Sequence, residues 1–275
     1  MKMQMGLVVV SIGLITIISC SGSVKTGKTP GISATQNGSL VNNGQAWAAA
    51  WQQNSGEYKA LCFQAYFLAK LRLEQLLSAG TGKPPAIVTD IDETVLDNSP
   101  YTVHQSTQNK GYTEDTWVEW TDKAMADTVP GALAFLKYAN SRGVAVYYVT
   151  NRIEKERVST LKNLQHWGFP DADSDHLLLK KETSGKEPRR QKILATNEIV
   201  LLIGDNLSDF SPVFDKQPTE VRNAKVISNA EQFGSRFIVL PNPMYGDWEG
   251  GYYKFNYTLS GSAKDSAVRS RLKNY

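Results

Sequence analysis

The stretch Ala86-Ile87-Val88-Thr89-Asp90-Ile91-Asp92-Glu93-Thr94 constrains this chain more than any other part of it. Pro84 and Pro85 cannot sit inside a central strand, so they mark its entrance. A short apolar run follows, the pattern of a strand covered on both faces of a parallel sheet. It ends on two carboxylates two residues apart, at the sheet edge where open α/β folds bind ligands. Two adjacent carboxylates repel each other, and burying both as anions is costly unless a cation compensates. The physical reading is a Mg²⁺ site beside a carboxylate free to act as a nucleophile. The plain alternative is a solvated turn after a strand.

Two more runs decide between these. Val144 to Val149 is a second buried strand and closes on Thr150-Asn151-Arg152. Ile199 to Ile203 is a third and closes on Gly204-Asp205-Asn206, with Asp209 shortly after. Helical stretches separate them: Pro130–Asn140, Glu154–Trp167 and the start of one at Glu187–Thr196. Strands alternating with helices imply an α/β fold, a mostly parallel sheet with right-handed crossovers. All three polar strand ends then fall on one edge, which a solvated turn does not arrange. Val226-Ile227 and Phe237–Leu240 are expected to add further strands.

The flanks read differently. Residues 1–19 have the charge and apolar run of an export signal, too short to span a bilayer comfortably. They end in Ile17-Ile18-Ser19-Cys20, which resembles a bacterial lipoprotein box with lipid attached at Cys20. Residues 20–44 form a Ser-, Gly- and Asn-rich tether. The folded domain is expected over 45–257, with a cap drawn from about 45–80 and 98–128. Helical spacing runs from Gln45 to Leu77 and breaks at Asn54-Ser55-Gly56. The insertion carries Tyr112, Trp117 and Trp120, aromatics able to stack a flat ring or to pin the cap. A polar, basic tail, 258–275, is expected to be loosely attached.

Composition excludes several classes. A net charge of +3 does not mark a nucleic-acid binder. His104, His166 and His176 lie too far apart for a zinc site. Cys62 lies in an apolar helical pattern and reads as a small core residue.

The four motifs together resemble the haloacid-dehalogenase superfamily and, within it, the class C bacterial acid phosphatases that include the lipoprotein e 5′-nucleotidases. Asp90-Ile91-Asp92-Glu93-Thr94 carries the first motif, Thr150 the second, Lys186 in Ser184-Gly185-Lys186 the third, and Gly204-Asp205-Asn206-Leu207-Ser208-Asp209-Phe210 the fourth. The resemblance extends from about Trp47 to Tyr252. It implies a Rossmann-like sheet flanked by helices with a small, mainly helical cap. It also implies hydrolysis of phosphomonoesters, nucleoside 5′-monophosphates in particular. Asp90 would be the nucleophile and Asp92 the general acid and base. Mg²⁺ would be held by Asp90, the Asp92 backbone carbonyl and Asp205. Asp209 would bind the metal's waters or hold Lys186, while Thr94, Thr150 and Lys186 take the phosphoryl oxygens. Trp117 and Tyr245 fall where that group stacks the leaving group. A lipid-anchored protein of the bacterial envelope, at the outer membrane and in a homodimer, completes the expectation. A cofactor- or haem-binding lipoprotein with a degenerate core is the competing reading, and the filled catalytic positions argue against it. A phosphotransferase would share every motif.

Overall fold

The computed structural model describes residues 39–275, so the export signal and Cys20 lie outside the described residues. The first helix, α1 (Leu40–Asn54), starts earlier than its apolar spacing suggested, inside what reads as tether. Ser39 caps it, accepting from Asn42 N at 3.3 Å, and a distant carboxylate finishes the cap. Asp265 accepts from the backbone nitrogens of Leu40 and Val41 at 2.8 and 3.0 Å. Ser55 ends α1 and caps α2 (Gly56–Ala79), so the chain breaks where Asn54-Ser55-Gly56 predicts.

Strand β1 (Pro85–Thr89) follows, then a two-residue ribbon strand β2 (Leu96–Asp97). The insertion holds α3 (Ser99–Thr107) and α4 (Glu114–Thr121) before β3 (Asp127–Thr128) pairs back antiparallel with β2. Then come α5 (Ala132–Ser141), β4 (Ala145–Val149), α6 (Arg157–Trp167), β5 (Leu177–Leu178), α7 (Glu187–Thr196) and β6 (Glu198–Gly204). The chain closes with α8 (Thr219–Ser228), β7 (Phe237–Val239), α9 (Asp247–Gly250) and α10 (Gly261–Arg269).

The main sheet has the order β5-β4-β1-β6-β7, every pair parallel. Side chains of β1 alternate between two cores, as strand geometry requires. Ile87 enters the larger, with Tyr66 and Leu73 of α2, Leu136 of α5, and Val146 and Leu201. Ala86 and Val88 enter the smaller, with Val149 and Ile193 of α7. Thr89 stands opposite both Tyr148 and Ile203. Asp90 therefore leaves the sheet next to Val149 and Gly204, one residue short of Thr150 and Asp205, at the same edge.

Two expectations do not hold. Val226 and Ile227 lie in α8, not in a strand, and Ile227 is exposed. Pro218 opens that helix, and two β-branched residues do not outweigh the helical context around them. The C-terminal tail is not loose throughout: Ser260 caps α10, and Asp265 on that helix holds the start of α1. Cys62 is buried as expected, and burial pushes its thiol up to about 11. No helix among the described residues is long and apolar enough to cross a membrane.

Candidate active site

Asp90 follows β1 directly, its backbone nitrogen donating to Ile203 O at 2.9 Å. Its side chain meets Lys186, whose Nζ stands 2.6 Å from Asp90 Oδ1 and 2.7 Å from Asp209 Oδ1. Lys186 sits at the start of α7 and is 3 % exposed. The nearby Lys180 and Lys181 do not share this place, so the third motif falls on Lys186. Asp209 reaches back over the turn after β6, accepting from Asn206 N at 3.0 Å. The return is so tight that a Cβ at Gly204 would lie 2.3 Å from Asp209 Oδ2. Only glycine permits that approach.

Asp205 completes the group. It accepts from Thr94 Oγ1 at 3.1 Å and from Asn242 Nδ2 at 2.8 Å. Asp90, Asp205 and Asp209 each offer a carboxylate oxygen, all within 4.8 Å of one another. Three carboxylates against one ammonium leave a local excess of two negative charges. Burial, then the neighbouring Asp209 and Asp92, push Asp90 up to about 7 while Lys186 pulls it down. Burial, Asp209 and Asp90 likewise raise Asp205. An all-oxygen set with that charge suits a hard divalent cation.

Asp92 faces another way. Arg152 Nε and Nη2 both donate to Asp92 Oδ1, at 3.0 and 2.8 Å, and Asn98 Nδ2 adds a third bond at 3.0 Å. Oδ2 has only long contacts, to Arg152 Nε at 3.4 Å and Thr150 Oγ1 at 3.5 Å. Arg152 is buried and also donates to Thr160 Oγ1. Asn98 accepts from Trp120 Nε1 at 2.8 Å, which ties the cap to Asp92.

Sequence reasoning placed Thr94, Thr150, Lys186, Asp205 and Asp209 around Asp90, and the structure brings them together there. It missed Arg152, read only as a polar strand end. It also missed Arg189, which falls in the helical stretch begun at Glu187, outside the motifs, and is buried. Arg189 donates to Asn151 Oδ1, Ser184 O and Gly185 O, and to Thr150 O, joining the second and third motifs. Arg190 donates to Asp209 O at 2.6 Å. The one usable signal was position: an arginine within a few residues of a site motif has carboxylates and carbonyls to meet.

Glu93, between the motif residues, is fully buried with φ +56°. It accepts from Gln52 Nε2 and Tyr245 OH, each at 2.9 Å. Burial, then the charge of Asp97, pushes it up to about 8 against those two hydrogen bonds. Trp117 is 8 % exposed and packs edge-on against Tyr101, ring centres 5.0 Å apart. Tyr112, 6.1 Å from Trp117, is the exposed member at 65 %.

A family model described as HAD superfamily, subfamily IIIB (Acid phosphatase) matches residues 28–248. The fold superposes on the class C acid phosphatase from Bacillus anthracis with a TM-score of 0.83 and 45 % identity, covering 86 % of this chain and 99 % of that one. A structure of that enzyme with tungstate bound gives 0.82 and 44 %, with the same coverage. Among curated proteins, the stem 31 kDa glycoprotein of Glycine max is 27 % identical over 161 residues, 56 % of this chain and 57 % of that protein. Acid phosphatase 1 of Solanum lycopersicum is 26 % identical over 166 residues, 58 % of this chain and 57 % of that protein. The chain thus spans little more than half the length of the curated relatives it matches. With its four motifs on one sheet edge and a family match over most of its length, the chain belongs to the HAD superfamily, subfamily IIIB, the acid phosphatases.

Proposed function

We propose that this protein is a Mg²⁺-dependent acid phosphatase that hydrolyses phosphomonoesters, nucleoside 5′-monophosphates among them, through an aspartyl-phosphate on Asp90. The observation that carries this reading is the Lys186 ammonium held between Asp90 and Asp209, beside Asp205. It pulls Asp90 toward its ionised form against burial, and the three carboxylates leave room in the charge balance for a divalent cation. The similar B. anthracis enzyme has been solved with tungstate, a phosphate-like oxyanion, bound to it, which supports the reading of a phosphate-binding protein.

In the first step Asp90 attacks phosphorus, the bond to the leaving oxygen breaks, and Asp92 gives that oxygen its proton. The transferring proton rides on Asp92 Oδ2, the oxygen that Arg152 and Asn98 leave with only long contacts. In the second step water attacks phosphorus, Asp92 takes its proton, and the bond to Asp90 breaks to release phosphate. Lys186, Thr94 and Thr150 hold the phosphoryl oxygens and stabilise their charge. Asp90, Asp205 and the Asp92 backbone carbonyl would hold Mg²⁺, with Asp209 on its waters. When bound, the ion neutralises phosphoryl charge and draws the ester toward Asp90. In this reading Tyr245 and Trp117 would flank the leaving group.

Phosphate release from a panel of nucleoside 5′-monophosphates and glycerol phosphate, with EDTA and with added Mg²⁺, tests the reading. Release that persists in EDTA, or no release from any ester, would overturn it. We further propose that lipid on Cys20 anchors the protein to the bacterial envelope, at the outer membrane. Cys20→Ser should abolish lipid labelling and free the protein from the membrane fraction.

A further inference from the structure

Glu93 carries two unfavourable features in one residue. A non-glycine residue at φ +56° is strained. A fully buried carboxylate with no cation on it lacks the partner such groups normally need. Among the described residues no arginine or lysine contacts it. Its partners are all neutral donors from three separate parts of the chain. Gln52 comes from α1, the Asn98 backbone nitrogen from the turn before α3, and the Tyr245 hydroxyl from the turn after β7. The same Gln52 amide also donates to Asp97 at 2.8 Å.

Tyr245 is held at its other end as well. Its backbone nitrogen donates to Asn242 Oδ1 at 3.4 Å, and its carbonyl accepts from Trp248 Nε1 at 3.1 Å. Asn242 is the residue whose amide also holds Asp205. The ring therefore lies between a backbone tied to the metal-site carboxylate and a hydroxyl tied to the residue after Asp92. A ring fixed at both ends offers a stacking face that costs a ligand little ordering on binding.

We propose that Glu93 is a positioning residue for substrate selection: its carboxyl group, accepting from the Tyr245 hydroxyl, sets the angle at which that ring meets the leaving group. The inference rests on the reading of Tyr245 as a leaving-group platform. Glu93 touches no reacting atom and acts through Tyr245. A residue serving only to brace the loop after Asp92 would affect every ester alike. One serving to aim the ring affects esters with flat leaving groups.

The test is kcat/KM for a nucleoside 5′-monophosphate and for glycerol phosphate, with Mg²⁺ present, in the full-length chain. The variants are Tyr245→Phe, Glu93→Gln, the double variant and Tyr245→Ala. Tyr245→Phe removes only the hydroxyl. In Glu93→Gln the new amide must turn its NH₂ toward one of the donors that both carboxylate oxygens now face. Each single variant should lower the ratio of nucleotide to glycerol phosphate kcat/KM by about tenfold, mostly through the nucleotide KM, the scale of one buried hydrogen bond. The double variant should fall no further than the lower single one, because both remove the same contact. An unchanged ratio in Tyr245→Phe, or losses that multiply in the double variant, would overturn the proposal. Tyr245→Phe keeps the test decisive if Glu93→Gln does not fold. A collapsed ratio in Tyr245→Ala with an intact one in Tyr245→Phe would sink the role of Glu93 alone. An intact ratio in Tyr245→Ala would sink the platform reading and the proposal with it.

Discussion

Arg152 sets two of its nitrogens on a single oxygen of Asp92, at 3.0 and 2.8 Å, with the guanidinium almost wholly buried. The fork fixes the carboxyl plane and leaves the other oxygen with only long contacts. Arg152→Lys keeps the charge but not the fork. It should lower kcat by about ten- to a hundredfold, at 1.4 kcal/mol per factor of ten, with a smaller change in KM. Arg152→Leu should also cost about 3–5 kcal/mol of stability, as expected when one partner of a buried pair is removed. Steady-state kinetics and thermal melts check both, and wild-type kcat in Arg152→Lys would remove the fork from the mechanism.

Asp90→Asn should fold, bind phosphate weakly and lose nearly all turnover, because an amide does not form the aspartyl-phosphate. Lys186 keeps Asp209 as a partner in that variant, so the melt should stay near wild type. Substantial turnover in the purified variant would reassign the nucleophile.

Metal binding should be visible without any substrate. Mg²⁺ at a hundred times its dissociation constant should stabilise the folded chain by about 2.7 kcal/mol through mass action, read as a rise in Tm. Asp205→Asn should lose most of that rise. The same Mg²⁺ shift in both proteins would place the ion elsewhere.

The cap aromatics should separate by burial. Trp117→Ala opens a cavity against Tyr101 and should cost about 3–5 kcal/mol, roughly 10 °C in Tm for a chain of this size. Tyr112→Ala removes an exposed ring and should leave Tm within about 2 °C, as surface changes usually do. Differential scanning fluorimetry on both variants decides this, and equal losses would contradict the packing described.

Acid should loosen the two ends of the described chain before the sheet. Burial raises Asp265, but the backbone nitrogens of Leu40 and Val41 and the Ser39 hydroxyl together hold it below its ordinary 3.8. A depressed carboxyl contributes stability that is present above its unfolded value and is lost as pH falls through the folded one. Amide exchange in Leu40 and Val41 should therefore quicken below about pH 3.8 in wild type, and at all pH values in Asp265→Asn. Slow exchange in the variant at neutral pH would show that the cap does not depend on this carboxylate.

Much of this architecture was readable because buried parallel strands are short apolar runs that end abruptly in polar residues. β1, β4 and β6 announce themselves that way, and α7 spans Glu187–Thr196 as its spacing predicts. Contacts made at long range were not readable. The start of α1 depends on a carboxylate some 225 residues away, and nothing near Leu40 signals it. Arg152 and Arg189 look like ordinary charged residues until the fold buries them against Asp92 and Thr150. Val226-Ile227 misled because two β-branched residues carry no information about whether a strand lies beside them.

The close return of Asp209 over Gly204 joins two duties that are separate in the sequence. Asp205 belongs to the carboxylate cluster that could hold a cation, and Asp209 anchors the lysine beside Asp90. Both carboxylates hang from one turn whose radius is set by a missing side chain. A single-base change that put any Cβ at position 204 would displace the two together. Variants at position 204 should therefore lose their hold on Lys186 and their response to Mg²⁺ together.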